Sequence, residues 1–195
     1  KNNISMRLAD LSKSNGFNID DSHNAMVDTE LTVKVLDLIK NKQPTLWVDY
    51  FKTSSKQAVE DIMRKEKLIT LNEYFYGRSR LYLCAPLHPN CFIHEIYKWS
   101  QVFDVRIDPE PLFKLSYSEL KKEVSKTPKF IRTVRSNKAP IILDKSYGSK
   151  VEPYSSMDIN EIKKRAELIK SNEKFSRDVI NILKENAEEK MQVSS

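Results

Sequence analysis

The sequence predicts an α+β protein in which helices come first, short strands follow in one block, and helices close the chain. Three observations lead to this prediction. Apolar residues recur at helical spacing at the start, change to short β-branched and aromatic runs in the middle, and return to helical spacing after Asp158. With 195 residues, the chain can form one large domain or two small ones around a real core.

The flanking segments carry recognisable helix starts and stops. The stretch "SMRLADLSKSNG" predicts a short helix ended by Gly16. A longer helix is predicted in "NIDDSHNAMVDTELTVKVLDLIKNKQP", with Asp21 or Ser22 as its N-cap and Pro44 as its stop. The segment after Asp158 predicts two more helices, joined near Ser171-Asn172.

The middle of the chain contains a strand-rich block. A third amphipathic helix, "SSKQAVEDIMRKEK", precedes it, with Ser54 or Ser55 as its cap. The runs "LITLNEYFYG", "RLYLCAPLHP", "CFIHEIYKW" and "VFDVRID" predict a β-meander. The helix "SYSELKKEVSK", with a capping box from Ser116 to Glu119, interrupts the strands, and "KFIRTVRSNKAPIIL" predicts one or two more around Asn137-Lys138.

Composition excludes some functions and leaves others open. The net charge of +6 favours an anionic partner or serves only solubility. Three glycines are too few for a Walker loop or a dinucleotide fingerprint. Cys84 and Cys91 lack metal-site spacing and are predicted to be reduced core thiols of a cytoplasmic protein. We expect no membrane segment, because no apolar run approaches the necessary length.

The stretch "SHNAMVDTE" is the strongest candidate for chemistry. His23 precedes Asp28 by five positions at the start of a predicted helix. A histidine at a helix start and an acid within it are usually just solvated side chains. The same pair also suits a carboxylate that fixes a divalent cation and a base that approaches a water molecule above it.

This H-x-x-x-x-D pattern, in "SHNAMVDTELT", resembles the third exonuclease motif of the DEDD family, histidine subclass. The stretches "MRLADLSKSNGF" and "LIKNKQPTLW" resemble bacterial exonuclease I more particularly. The resemblance continues in the same order through "LCAPLHPN", "IDPEPLFKLSYSEL" and "NKAPIIL", from about residue 5 to about residue 185. One such motif is weak evidence, but collinear patches together are strong.

The resemblance implies a 3′→5′ exodeoxyribonuclease that degrades single-stranded DNA in DNA repair or recombination with two magnesium ions. By position, Asp28 would be a metal ligand and His23 the general base. The family's D-x-E and a further Asp would have to lie before residue 1, so we expect this chain to be part of a longer protein and inactive alone. The D-x-E at Asp108–Glu110 follows a predicted strand but matches a non-catalytic segment.

The resemblance also implies a domain order. Residues 1–43 would be the C-terminal helices of an RNase H-like exonuclease domain, and 44–186 an SH3-like β-barrel domain with added helices. Residues 187–195 would begin a linker to a helical C-terminal domain. In the SH3-like domain, cations and aromatic rings are expected to hold the single strand. The candidates are Tyr76, Arg78 and Arg80, with Lys56, Lys129, Arg132 and Arg135 as weaker ones.

A partner is implied as well, the acidic C-terminal tail of single-strand-binding protein. By position, Lys67 and Lys170, with Lys150 as a further candidate, would be its basic contacts. The family's pocket leucine falls on Lys163 or Ile162, which departs from the pattern. We expect the protein to be a monomer.

Two other interpretations remain open at this point. The chain could be a catalytically inactive SH3-like module that binds single-stranded DNA or the tail of single-strand-binding protein. It could also be a plain structural domain in which His23 and Asp28 are relics. His88 and His94 are predicted to be structural.

Overall fold

The computed structural model describes residues 7–19, 24–89, 91–94, 96 and 98–193. The chain divides into two compact units, Lys1–Asp49 and Tyr50–Ser195. The helices are α1 (Leu8–Ser14), α2 (Ala25–Lys42), α3 (Pro44–Phe51), α4 (Lys56–Lys65), α5 (Glu110–Phe113), α6 (Tyr117–Ser125), α7 (Lys145–Gly148), α8 (Ile159–Ser171) and α9 (Glu173–Val193). The strands are β1 (Ile69–Phe75), β2 (Arg78–Pro86), β3 (Ser100–Asp104), β4 (Ile131–Val134) and β5 (Ile141–Leu143).

The first unit contains the predicted helix pair. Gly16 has φ of +75° directly after α1, which confirms the predicted stop. The cap prediction for α2 is wrong, because the helix begins at Ala25 and the side chain of Asn24 accepts a hydrogen bond from the amide of Met26. Pro44 ends α2 as predicted, but it also begins α3, a helix that was not predicted from the sequence.

The second unit is built on a five-stranded antiparallel sheet with the order β4-β3-β2-β1-β5. The strands β4 and β5 follow one another in sequence but lie at opposite edges, joined through a 3₁₀ turn at Ser136–Lys138. The sheet is curled, since Arg132 on β4 forms an ion pair with Glu73 on β1 across two intervening strands. The α+β prediction is therefore confirmed, with the strands forming a curled antiparallel half-barrel.

Each face of the sheet has its own hydrophobic core. On one face, the buried side chains of Leu83 and Phe103 pack against α6, α8 and α9. On the other face, Val59 and Met63 of α4 pack against Cys84 and neighbouring strand residues. By strand alternation Glu73, Phe75 and Arg132 project from this second face, and all three line the groove of the candidate site.

One predicted strand, "CFIHEIYKW", is wrong. The described residues of 91–99 form no strand, because local hydrogen bonds turn the chain back on itself between β2 and β3. The amide of Cys91 donates to the carbonyl of His88 at 3.1 Å, and the amide of Lys98 to that of His94 at 2.6 Å. The segment therefore forms a folded loop between β2 and β3.

Several other local predictions are confirmed. Ser55 caps α4, Ser116 and Glu119 form a capping box on α6, and α8 and α9 meet at Asn172. Cys84 and Cys91 are buried free thiols, and burial raises the pKa of each. In the described part of the chain, no helix is long and apolar enough to cross a bilayer. The assignment of 1–43, 44–186 and 187–195 to the family's domains stays a prediction.

Candidate nucleic-acid interface

The hairpin between β1 and β2 ends in a two-residue turn, Tyr76-Gly77. Phe75 and Arg78 form the last register pair, and φ is +49° at Tyr76 and +74° at Gly77. Positive φ at both central residues is the pattern of a type I′ turn. Glycine adopts it without steric cost, whereas a tyrosine there costs about 1 kcal/mol or more. The Tyr76 side chain is nevertheless 100% exposed, so no packing against the described residues explains it.

Strand register places four side chains of this hairpin on one face. Glu73 pairs with Arg80, and Phe75 pairs with Arg78. Since side chains alternate along a strand, these four project from the same face of the sheet, whereas Tyr74 projects from the other. Phe75 and both arginines are exposed. The hairpin therefore presents an aromatic ring and two cations together.

A groove of about 460 Å³ continues this face toward β4 and the turn that follows it. Phe75 lines it together with Lys129, Arg135 and Lys138, whose side chains are all exposed. We call this surface the basic groove. It shares Phe75 with the hairpin, so hairpin face and groove form one continuous strip.

An indole ring lies beside the basic groove. The guanidinium carbon of Arg135 is 5.2 Å from the ring centroid of Trp99. The indole N–H of Trp99 donates to the side-chain oxygen of Asn137 at 2.8 Å, which orients the ring. The aromatic face and the cation are therefore held next to each other before any ligand arrives.

Arg132 lines the same groove but is engaged within the protein. Its guanidinium carbon lies 3.3 Å above the ring centroid of Tyr82, and it forms an ion pair with Glu73. Only 13% of its side chain is exposed, against 19% for Glu73. Arg132 thus stabilises the wall of the groove, and its predicted role as a DNA contact receives no support from this geometry.

Lys56 also forms contacts within the protein. Its ammonium donates to the carbonyl oxygen of Ile96 at 2.9 Å and lies 3.6 Å from the carboxylate of Glu60. The contact with Ile96 connects the start of α4 to the segment between β2 and β3, and the pair with Glu60 lies within α4. Its predicted DNA contact stays a prediction.

Two of the predicted partner-binding cations, Lys67 and Lys170, each form a contact that connects α8 with α4 or the segment after it. Lys67 forms a 2.6 Å ion pair with Glu167, and the ammonium of Lys170 donates to the carbonyl of Met63 at the end of α4. Burial lowers the pKa of Lys170 to about 8, against a smaller opposing effect of Glu66. Lys170 is therefore partly neutral in mildly alkaline solution.

The other positions that the resemblance assigned to partner binding are Ile162 or Lys163 and Lys150. Ile162 is 1% exposed and belongs to the core, whereas Lys163 is exposed on the outer side of α8. Neither position therefore supplies an exposed apolar pocket residue. Lys150 is exposed after α7, on a different segment of the second unit.

In the first unit, Asp28 lies in the first turn of α2, half-buried. Its amide donates to the carbonyl of Asn24 at 2.9 Å, and its carbonyl accepts from the hydroxyl of Thr32 at 2.7 Å. His23 lies outside the described residues. Among the residues that are described, no group of three or more His, Cys, Asp or Glu side chains is placed to hold a metal ion. Asp28 offers one carboxylate, so a metal would need donors from elsewhere.

The D-x-E at Asp108–Glu110 has partners within the protein. The Asp108 carboxylate accepts a hydrogen bond from the amide of Glu110 at 3.0 Å, which shapes the turn into α5. Glu110 lies 3.2 Å from the ammonium of Lys164. Both acids thus have structural partners in the turn.

Sequence reasoning missed Phe75 and Lys138 as groove residues. Strand alternation outward from Gly77 would have placed Phe75 beside Arg78 and Arg80. Nothing in the sequence pattern indicated Lys138, because the groove exists only when the sheet curls and β4 approaches β1.

A small curled antiparallel sheet with an exposed strip of cations and aromatic rings is typical of proteins that bind single-stranded nucleic acid. Over part of its length the chain is similar to curated proteins named exodeoxyribonuclease I. It is 32% identical over 84 residues to exodeoxyribonuclease I of Buchnera aphidicola subsp. Baizongia pistaciae, covering 42% of this chain and 18% of that protein. It is 36% identical over 59 residues to that of Haemophilus influenzae, covering 30% and 12%. No family model matches the chain.

Solved structures similar to the chain carry the same name. E. coli exonuclease I in complex with a dA16 oligonucleotide matches 91% of this chain and 40% of its own, with TM-score 0.64 and 20% identity. The zinc-bound form of the E. coli ExoI–ssDNA complex matches 93% and 42%, with TM-score 0.64 and 20% identity. The ExoI/SSB-Ct complex matches 91% and 40%, with TM-score 0.63 and 22% identity. At these identities the likeness shows the fold, and the chain spans well under half of each of these proteins.

Proposed function

We propose that this chain is part of a 3′→5′ exodeoxyribonuclease acting on single-stranded DNA in DNA repair or recombination, and that its second unit holds the strand. The basic groove carries this proposal. It combines three exposed cations with Phe75, and it continues into Arg78 and Arg80 of the hairpin. Cations that follow phosphates and rings that stack on bases are what a sequence-independent single-strand site requires.

The first unit would contribute to the chemistry. In this proposal Asp28 is one ligand of a divalent-metal site, normally magnesium, and His23 is the base that orients or deprotonates the water. Such ions would bridge the scissile phosphate. The described residues contain no cluster of His, Cys, Asp or Glu side chains that could hold a metal ion together with Asp28. In this proposal the other ligands therefore come from outside the described residues. We therefore expect this chain alone to bind single strands without cutting them.

The proposal also includes a protein partner, the C-terminal tail of single-strand-binding protein. Lys67 pairs with Glu167 of α8, and Lys170 of α8 donates to Met63 of α4, and in this proposal an acidic peptide would bind along this contact. The ExoI/SSB-Ct complex among the similar structures supports this choice of partner. Lys150 stays a weaker candidate, and the cytoplasmic location and monomeric state stay predictions.

Binding tests the groove directly. Fluorescein-labelled (dT)20 is titrated with the chain in EDTA at several salt concentrations, and affinity is read from anisotropy. Arg78→Glu/Arg80→Glu should weaken binding strongly and reduce the salt slope by about 1.4, since each single-strand phosphate contact contributes about 0.7. Lys122→Glu/Lys163→Glu makes the same charge change on helices α6 and α8. Equal losses of affinity in both variants would show that net charge alone attracts the DNA.

Digestion tests the chemistry separately. The chain is incubated with 3′-labelled single-stranded DNA and magnesium, beside an Asp28→Ala control. Release of label that the control abolishes would contradict our expectation that the chain alone is inactive, and would show that further donors complete the site.

A further inference from the structure

The tip of the β1–β2 hairpin has a feature that single-strand binding along the groove does not require. Tyr76 occupies the first central position of the turn, where its φ of +49° disfavours a tyrosine and where Asn, Asp or Gly would form the same turn readily. Its ring is 100% exposed at the apex. A residue that costs stability and packs against none of the residues that the structure describes is a candidate for an external contact.

The residues before Tyr76 extend this aromatic surface. Tyr74 is 58% exposed and Phe75 46% exposed, and alternation places them on opposite faces of the hairpin. The tip is therefore an edge with rings on both sides and at its apex. Arg78 and Arg80 lie on the Phe75 side only, which is the side that continues into the basic groove.

We propose that the hairpin tip is a stop for duplex DNA. The ring of Tyr76 stacks on the outer face of the terminal base pair where a duplex ends, and the single-stranded arm continues past Phe75, Arg78 and Arg80 into the basic groove. This inference rests on the proposed function, because it needs a single strand in the groove.

The placement of the ring distinguishes this role from ordinary base stacking. A ring that stacks on successive bases lies along a groove, as Phe75 does. A ring at the apex of a two-residue turn meets its ligand end-on, and a terminal base pair offers a large flat surface in that direction. The flanking arginines then neutralise phosphates at the junction.

The experiment compares two DNA molecules with the same label in EDTA. One is (dT)12, and the other is a DNA stem-loop that ends in a 3′ (dT)12 arm. We expect the chain to bind the stem-loop about tenfold more tightly than (dT)12, since one stacked base contributes about 1–3 kcal/mol. Tyr76→Asn should abolish this preference, so that the variant binds the two DNA molecules with equal affinity. Tyr76→Phe should keep the preference, because it keeps the ring.

Controls separate folding from binding. Asn suits the type I′ turn, so the melting temperature of Tyr76→Asn should equal or exceed that of the wild type. Ile96→Asn removes another exposed apolar side chain, 74% exposed, and should leave the preference intact. Equal weakening of both DNA molecules by Tyr76→Asn would overturn the proposal and make Tyr76 a plain stacking residue. An absence of preference in the wild type would overturn it too. Failure to bind either DNA would overturn the proposed function together with it.

Discussion

Arg132 and Glu73 form an ion pair although two strands lie between theirs in the sheet. Neighbouring strands are about 4.8 Å apart, so β4 and β1 would be about 14 Å apart in a flat sheet. The pair therefore depends on the curl of the sheet, and it contributes to holding that curl. In this pair Glu73 balances the charge of Arg132, which is mostly buried. The exposed cations of the groove are therefore Lys129, Arg135 and Lys138.

Glu73→Gln should have opposite effects on stability and binding. The free energy of unfolding should fall by about 2 kcal/mol, because Arg132 loses its counter-charge. This loss is smaller than for a fully buried pair, since both side chains are partly exposed. Affinity for (dT)20 should rise, because a negative charge leaves the groove. Urea unfolding and anisotropy measure the two effects. Glu73→Gln/Arg132→Met should be more stable than Glu73→Gln alone, because it leaves no unpaired charge. Arg132→Met completes the cycle. If the loss of stability in the double variant equals the sum of the losses in the two single variants, the two side chains are not coupled.

Lys138→Glu should weaken single-strand binding and lower its salt slope by about 0.7, which is the contribution of one neutralised phosphate on a single strand. Lys163→Glu makes the same charge change on the outer side of α8, away from the groove lining. Anisotropy titrations of both variants at several salt concentrations measure the slopes. If the affinity falls equally in the two variants, Lys138 has no place in the interface.

Tyr154→Phe should destabilise the second unit by about 1–3 kcal/mol. The hydroxyl of Tyr154, a residue only 3% exposed, donates to the carboxylate of Asp104 at 2.7 Å, and Asp104 is fully buried. Burial and the neighbouring carboxylate raise the pKa of this phenol, so it remains a donor over the whole working range. Urea unfolding gives the change, with Tyr147→Phe as the control. A change below about 0.5 kcal/mol would show that Asp104 finds another donor.

Gly148→Ala should be poorly tolerated. A Cβ at this position would lie 2.8 Å from the hydroxyl oxygen of Thr70 and 3.2 Å from a methyl carbon of Leu83. The same hydroxyl accepts a hydrogen bond from the Gly148 amide, so it has little freedom to move. We expect the free energy of unfolding to fall by about 2 kcal/mol in thermal or urea unfolding. Ser149→Ala, one residue further on, should change stability by less than about 0.5 kcal/mol.

Lys170 should make stability depend on pH between about 8 and its ordinary range near 10.5. Its pKa is lowered on folding, so in this window the unfolded chain binds more protons and the stability contributed by Lys170 is lost as pH falls through about 8. In Lys170→Met this contribution to the slope should disappear, whereas Lys163→Met should keep it. Urea unfolding at several pH values gives the slopes. Identical slopes in wild type and Lys170→Met would contradict the lowered pKa.

Local pattern explains why many elements could be predicted from the sequence. The caps at Ser55 and Ser116 and the glycine stop at Gly16 act within a few residues, so their outcome is visible in a short stretch. The same reasoning was wrong for 91–99, because apolar β-branched and aromatic residues there serve a folded loop rather than a strand. Here local turn hydrogen bonds overrode the strand propensity of the segment.

The sequence by itself determined the broad succession of helices, a strand-rich block and helices, the hairpin turn at Gly77, the candidates Tyr76, Arg78 and Arg80 beside that turn, and the resemblance to exonuclease I. Only the tertiary structure decided which cations are exposed in the basic groove and can contact a ligand. Nothing in the sequence distinguishes Lys129, Arg132 and Lys138 as exposed or buried cations. The curled sheet buries Arg132 against Glu73 and Tyr82, whereas Lys129 and Lys138 stay exposed along the groove. The reason is physical: alternation assigns a side chain to a face, whereas the charges that meet on that face depend on the strands that the curl brings together.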